Sequence, residues 1–304
     1  MMRHADLFEA LKRGVTSQRQ HRIKRMFSNP VRTLLPLALK RQHAERHVEA
    51  QTFHGATMHV VLPEPISTSI WRYGVFETDV SFYLLKVLRS GDTFVDVGGH
   101  FGYFSLLART LIGADGLSVT FEPMPPTLAI LRRNIEHKTT RNRCHIVQAA
   151  AGSEQGSLTF KFYGLTNSAY STSGDVRTSE LASLQPTDVP VDVVTVDDTL
   201  KRIGATACRL IKIDAENAEL AVLQGATQTI KGMRPAVILE TGDSDAGESA
   251  SRKAISFLLD RDYVAYEFKD WDMVSHKLQD RYDYKNILMV PTEHQSDMIG
   301  VHPS

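Results

Sequence analysis

Apolar positions along the central chain switch between two periods. TFVDVGG (93–99) reads as a strand, GYFSLLARTLIG (102–113) as a helix, LSVTFEP (117–123) as a strand, PPTLAILRRNIEHK (125–138) as a helix opened by prolines, and CHIVQAAAG (144–152) as a strand. The rhythm resumes with CRLIKIDAEN (208–217) as strand, AELAVLQGATQTIKGM (218–233) as helix, RPAVILET (234–241) as strand and SASRKAISFLLDRDY (249–263) as helix. YVAYEF and NILMVP close it as strands. Strands alternating with helices of this length predict a mostly parallel sheet covered by helices on both faces.

Two regions depart from this rhythm. Residues 156–200 contain two strand-like runs, GSLTFKFYG and VPVDVVTVDDTL, around a loop rich in Asn, Ser, Thr and Tyr (164–190). A connection of that length predicts a functional element, here one that closes over an acceptor. Upstream, ADLFEALKRGV and PVRTLLPLALKRQHAERHV predict helices separated by a Ser-Asn-Pro breaker at 28–30. A short β-like stretch, FHGATMHVVLP, and a helix-compatible segment over 69–92 follow. The expected organisation is an N-terminal helical arm and β segment over 1–65 and a main domain over 66–304.

Composition narrows the function classes. In 304 residues, Lys plus Arg and Asp plus Glu number 35 each, which gives the whole molecule no nucleic-acid signature. The first 50 residues are the exception, with eleven basic side chains against four acidic ones. Such an arm predicts docking on its own domain, on a second copy as a homodimer, or on a membrane or lipid-linked substrate. Cys144 and Cys208 are too few for a disulfide framework or zinc cluster; a reducing, cytoplasmic setting is expected, and no metal site. The longest N-terminal apolar run, LLPLAL (34–39), is shorter than a membrane span.

The chemistry concentrates at the turn after the first strand. A dinucleotide fingerprint starting at Gly98 requires glycine at 100 and 103, where the chain has His100 and Tyr103. Without the second glycine a pyrophosphate cannot approach the backbone as closely, which weakens a nicotinamide oxidoreductase reading. What remains is Asp96-x-Gly98-x-x-x-Gly102, with Glu122 at the end of the next strand. A carboxylate there can accept both hydroxyls of an adenosine ribose.

Asp96-x-Gly98-x-x-x-Gly102 resembles the first motif of class I methyltransferases that use S-adenosylmethionine. With IKIDAENAELAVLQGA the resemblance narrows to the FkbM-type family, in which a Lys-x-Asp-x-Glu-Gly-x-Glu stretch follows the cofactor motifs. This chain supplies Lys212, Asp214, Glu216 and Glu219, with Asn217 where the family usually has glycine. The similarity covers about residues 70–245, including Glu77, VDVGGHFGYFSLLA, FEPMPP, TVDDTL and VILET. It implies an α/β, Rossmann-like class I methyltransferase fold, with a mostly parallel seven-stranded sheet, an N-terminal helical extension and an inserted β-hairpin and loop.

The candidate cofactor-binding residues are Glu77, Asp96, Gly98, Gly99, His100, Phe101, Gly102, Glu122, Pro123 and Asp214. The catalytic candidates are Lys212, Asp214, Glu240 and His100. On a strand Lys212 and Asp214 share one face, so Lys212, costly to bury alone, must meet an acid or reach the cleft. The resemblance implies O-methylation of a hydroxyl on a sugar, polyketide or other secondary metabolite. A methyltransferase-like binding module without activity is the alternative.

Overall fold

The computed structural model describes residues 4–19, 29–136, 143–171, 184–243 and 248–300. In chain order the main elements are α1 (His4–Arg19), α2 (Pro30–Gln42), β1 (Arg46–Gln51), β2 (Thr57–Leu62), α3 (Pro65–Tyr73) and α4 (Thr78–Val87). Then come β3 (Thr93–Val97), α5 (Tyr103–Ile112), β4 (Leu117–Phe121), α6 (Pro125–Glu136), β5 (Arg143–Val147), β6 (Ala150–Ala151), β7 (Gly156–Phe162) and β8 (Thr187–Val194). The C-terminal third holds α7 (Val196–Arg202), β9 (Leu210–Ile213), α8 (Glu219–Gln224), α9 (Thr227–Met233), β10 (Ala236–Thr241), α10 (Ala250–Leu259), β11 (Tyr263–Lys269), β12 (Asp272–Ser275), β13 (Lys285–Pro291) and α11 (Gln295–Met298).

The main sheet runs β12-β11-β13-β10-β9-β3-β4-β5. From β5 to β10 every pairing is parallel, while β13 inserts antiparallel between β10 and β11. The short edge strand β12 makes eight strands where seven are expected; its hairpin with β11 turns at Asp270 and Trp271, both at positive φ.

Alternation of side chains divides the core. Phe94, Leu210, Ile238 and Leu288 face one apolar cluster with residues of α1, α4 and α5. Val95, Ile211, Val237 and Met289 face the other, with residues of α7 to α10. At the carboxyl end of the strands the first face changes from apolar to polar. Asp96 pairs with Lys212 across β3 and β9, and Glu240 with Asn286 across β10 and β13. The fold thus delivers these side chains to one end of one face.

The basic N-terminal region packs on this same domain: Leu7 and Leu11 of α1 belong to the first core cluster, and Phe8 lies against Phe82 and Trp271. The second expected helix is shorter than its pattern. It ends at His43, φ 50°, and Arg46–Gln51 pairs with Thr57–Leu62 as a hairpin. The segment over 69–92 is likewise two helices, interrupted where Gly74 adopts φ 73° and donates to Ile70 O. The insertion forms its own sheet, β6-β8-β7, with the antiparallel β7–β8 pair expected from the sequence. Residues 172–183 of the loop lie outside the described residues.

Candidate active site

The glycine turn is shaped by close packing. Gly98 has φ 79°, and a Cβ there would stand 2.0 Å from Asp214 O, so only glycine lets the β3 turn pass beneath the end of β9. The amides of Gly98 and Gly99 both donate to Phe121 O, at 3.1 and 3.0 Å, which fixes the turn against β4. Gly102 then opens α5, with Phe101 buried behind it.

Glu122 is held from two sides. His100 N–H donates to its Oε2 at 3.0 Å and Met124 N–H to its Oε1 at 2.9 Å. Burial nevertheless pushes its carboxyl up to about 8, against those two bonds and with Asp96 and Asp214 adding to the rise. Asp96 lies deeper. Its Oδ2 accepts from Ser105 Oγ at 2.6 Å, while its buried Oδ1 has no hydrogen-bond partner.

A cleft of about 810 Å³, open mouth included, lies above these strand ends. Of the cofactor-binding candidates, Gly98, His100, Glu122, Pro123 and Asp214 line it. Gly99, Phe101 and Gly102 build the turn below, and Asp96 sits beneath it. Sequence reasoning missed the apolar wall: Met124, Ala149–Ala151 after β5, and Leu158 and Phe160 from β7. The three alanines of QAAAG were the available signal, because small side chains at a strand's carboxyl end leave room for a flat ring.

His100 adopts φ 49°, stacks on Phe101 at 3.9 Å and engages Ser168 Oγ through Nε2 at 2.7 Å. Burial drives its imidazole down to about 3, opposed by Asp214, so the ring is neutral. It ties the glycine turn to the insertion that covers the cleft.

A second polar group adjoins the cleft through Asp214. Lys212, 2% exposed on a parallel strand, places Nζ 2.8 Å from Asp214 Oδ2 and 5.0 Å from the Phe104 ring centroid. Burial opposes its charge, but Asp214, Glu77 and Asp96 outweigh that and raise its pKa, keeping it an ammonium. Asp214 is pushed up by burial, yet the charge and hydrogen bond of Lys212 bring it below the ordinary carboxylate range.

Glu240 arrives from β10 and Glu77 from the turn before α4, where its backbone has φ 36°. One oxygen from each of Glu77, Asp214 and Glu240 lies within 4.8 Å of the others. Glu240 is raised well above its ordinary value, first by burial and then by Asp214 and Glu216. Glu77, expected on the cofactor, has its carboxylate in this cluster and outside the cleft lining; Tyr284 Oη donates to its Oε1 at 3.2 Å. Tyr284 and Asn286 come from the far antiparallel strand region and carried no motif in the sequence.

The residues present fit an adenosyl sulfonium. Asp214 and Glu216 line the cleft as carboxylates beside Glu122 and, among the described residues, no Lys or Arg does. A pyrophosphate would meet repulsion there, whereas a sulfonium and an ammonium would meet opposite charge. Charge thus joins glycine spacing as an argument against the nicotinamide reading.

Comparison with known proteins gives the same assignment. The model for the methyltransferase FkbM domain matches residues 96–282. "Methyltransferase 1" of Beauveria bassiana (strain ARSEF 2860) is 30% identical over 191 residues, covering 58% of this chain and 74% of that protein. The 31-O-demethyl-FK506 methyltransferase FkbM of Streptomyces tacrolimicus is 31% identical over 184 residues, covering 52% and 68%. Among solved structures, a methyltransferase FkbM from Methylobacillus flagellatus KT shares 16% identity over 75% of this chain and 56% of that one, with TM-score 0.41. An O-methyltransferase from Bacillus cereus in complex with SAH shares 15% over 71% and 80%, with TM-score 0.41. With its glycine turn, acidic cleft and a family match over more than half its length, the chain belongs to the FkbM family of S-adenosylmethionine-dependent methyltransferases.

Proposed function

We propose that this methyltransferase is O-directed, and that its acceptor is a hydroxyl on a sugar, polyketide or other secondary metabolite. The observation that carries the reading is the double membership of Asp214, which lines the cleft and also bonds Lys212 in the carboxylate cluster. A hydroxyl placed there would donate to an ionised carboxylate beside the cofactor, which points its oxygen lone pair at the methyl group, with the hydroxyl proton passing to solvent as the S–CH3 bond breaks and the O–CH3 bond forms. The S. tacrolimicus relative, named as a 31-O-demethyl-FK506 methyltransferase, supports the same class.

The cofactor supplies the electrophilic methyl group when bound. Gly98, His100, Glu122, Pro123 and Asp214 would hold it, with Glu122 on the ribose and the carboxylates facing positive charge. Leu158 and Phe160 present apolar surface to it on the insertion side. Lys212 keeps Asp214 ionised and fixed, which makes Asp214 an orienting hydrogen-bond acceptor rather than a strong base. His100 serves as a neutral contact, since an imidazole driven down to about 3 takes up little proton at neutral pH.

The test is incubation of the protein with methyl-labelled S-adenosylmethionine and fractionated extracts of its native host. Label appearing in a small molecule as a methyl ether supports the reading. Label on nitrogen or carbon overturns the O-directed assignment. Binding of the cofactor with no transfer to any fraction favours the inactive binding module.

A further inference from the structure

The carboxylate cluster holds more oxygen than its partners use. Glu77 Oε1 accepts from Tyr284 and Asp214 Oδ2 from Lys212, but Glu77 Oε2 and Glu240 Oε2 are buried without any hydrogen-bond partner. Glu240 is 5% exposed. Asn286, its register partner on β13, also has a buried Oδ1 with no partner, and its amide lies against the Glu77 carboxylate. Three carboxylates therefore converge with the Asn286 side chain beside them, and Lys212, the cation paired into the group, is committed to Asp214.

Orphaned buried acceptors cost free energy unless something positive completes them. Water or a shared proton would satisfy one oxygen; it would leave the other of two unpartnered carboxylate oxygens, brought from separate elements into one cluster, without a partner. A hard divalent cation would satisfy both. Magnesium takes oxygens at about 2.0–2.1 Å and calcium at about 2.3–2.6 Å. Oxygens on opposite sides of such an ion are then separated by about twice those lengths, which spans the 4.8 Å limit within which the three carboxylates lie. The ligand set is all oxygen, which favours magnesium, manganese or calcium over zinc or copper.

We propose that Glu77, Asp214 and Glu240, with Asn286 beside them, form a binding site for one magnesium-type divalent cation at the acceptor side of the cleft. Resting on the methyltransferase reading above, it adds what receives the acceptor: an open coordination position takes the substrate hydroxyl, and a neighbouring hydroxyl can take a second. The preferred acceptor class is then a compound with two adjacent oxygens. This departs from the sequence expectation of no metal, which rested on Cys and His content and took no account of carboxylates far apart in the chain.

The test uses the purified full-length protein, stripped with chelator and titrated with Mn²⁺ while water-proton relaxation reports bound ion. S-adenosylhomocysteine binding is measured on the same samples, so that a failed methyltransferase reading is seen separately from a failed metal site. One Mn²⁺ site displaced by Mg²⁺ is expected, with Glu77→Gln and Glu240→Gln each weakening it by about 10–100-fold. Retained S-adenosylhomocysteine binding identifies a folded variant. Glu154→Gln, on an exposed turn, should leave Mn²⁺ affinity unchanged. Absence of a site in the wild-type protein, or affinity unaltered in folded Glu77→Gln and Glu240→Gln, overturns the proposal. Should either variant fail to fold, the wild-type protein decides: Mn²⁺ and Mg²⁺ must raise its melting temperature above that in NaCl of equal ionic strength, and no rise overturns it.

Discussion

Lys212 Nζ stands 2.8 Å from Asp214 Oδ2, with the lysine at 2% exposure and Asp96 as its cross-strand neighbour. Lys212 lies on β9 and Asp214 directly follows its last residue, so the two groups meet at the carboxyl end of the face that turns polar there. Burying an ammonium here is tolerable only because several carboxylates surround it.

Removing that ammonium should therefore hurt twice. Lys212→Met leaves Asp214 and its neighbours as uncompensated buried charge, and breaking one side of a buried pair costs about 3–5 kcal/mol. Asp214→Asn leaves the lysine with Asp96 and Glu77 and should cost less. Because the residues act as a pair, the double variant should lose less stability than the sum of the singles. Urea unfolding of the four proteins measures this; strict additivity would show that the contact carries no coupling. Under the proposed function, Lys212→Met keeps S-adenosylhomocysteine binding and loses turnover, whereas Asp214→Asn, which removes a cleft carboxylate, loses turnover and weakens S-adenosylhomocysteine binding as well.

Gly98 makes a sharper prediction. Its substitution by Ala puts a methyl group 2.0 Å from a backbone carbonyl at φ 79°, so neither a rotamer change nor a small shift of one side chain can relieve it. The turn, and with it the position of His100 N–H on Glu122, must move. Gly98→Ala should destabilise the fold by about 3 kcal/mol or more and abolish cofactor binding. Calorimetric titration with S-adenosylhomocysteine at a temperature where the variant is still folded separates the two effects; normal affinity would mean the turn is not the cofactor's seat.

Much of this was legible in the sequence. The strand-and-helix alternation, the glycine turn, Glu122 and the shared face of Lys212 and Asp214 are local properties, written in runs of ten residues or fewer. Tyr284 and Asn286 were not legible, because β13 reaches the site only by inserting antiparallel between β10 and β11, and no motif announces that. The helix expected through His43–Val48 shows the opposite failure: its local pattern suits a helix, but pairing of Arg46–Gln51 with β2 overrides it.

Asn217 is a departure that the backbone explains. It occupies a position where the family usually has glycine, and its φ is 79°. Asn is the side chain that best tolerates this left-handed conformation, so the exchange keeps the turn. Asn217→Gly should be neutral or slightly stabilising, with activity retained. Asn217→Val should cost about 1–2 kcal/mol, because a β-branched residue is disfavoured at positive φ. Thermal unfolding of the pair tests this; equal stability would mean the conformation at 217 differs from the left-handed one.

Glu64 should give the protein a pH-dependent stability that has nothing to do with its chemistry. Its side chain caps α3 by accepting from the amides of Ile66 and Ser67, and it is fully buried. Burial raises its carboxyl from 4.5 to about 7 despite those bonds and the one with Ser67 Oγ. Below 4.5 the group is protonated in folded and unfolded chains alike, and its contribution is fully present. As pH rises from 4.5 the unfolded chain ionises first, so stability falls, and the loss is complete once pH passes about 7, where the folded form also ionises. The loss is of the order of 3 kcal/mol. Glu64→Gln keeps an acceptor for the helix amides but cannot ionise, so its stability should decline less steeply between pH 5 and 7. Urea midpoints of both proteins across that range decide the matter: parallel curves would place the titration elsewhere.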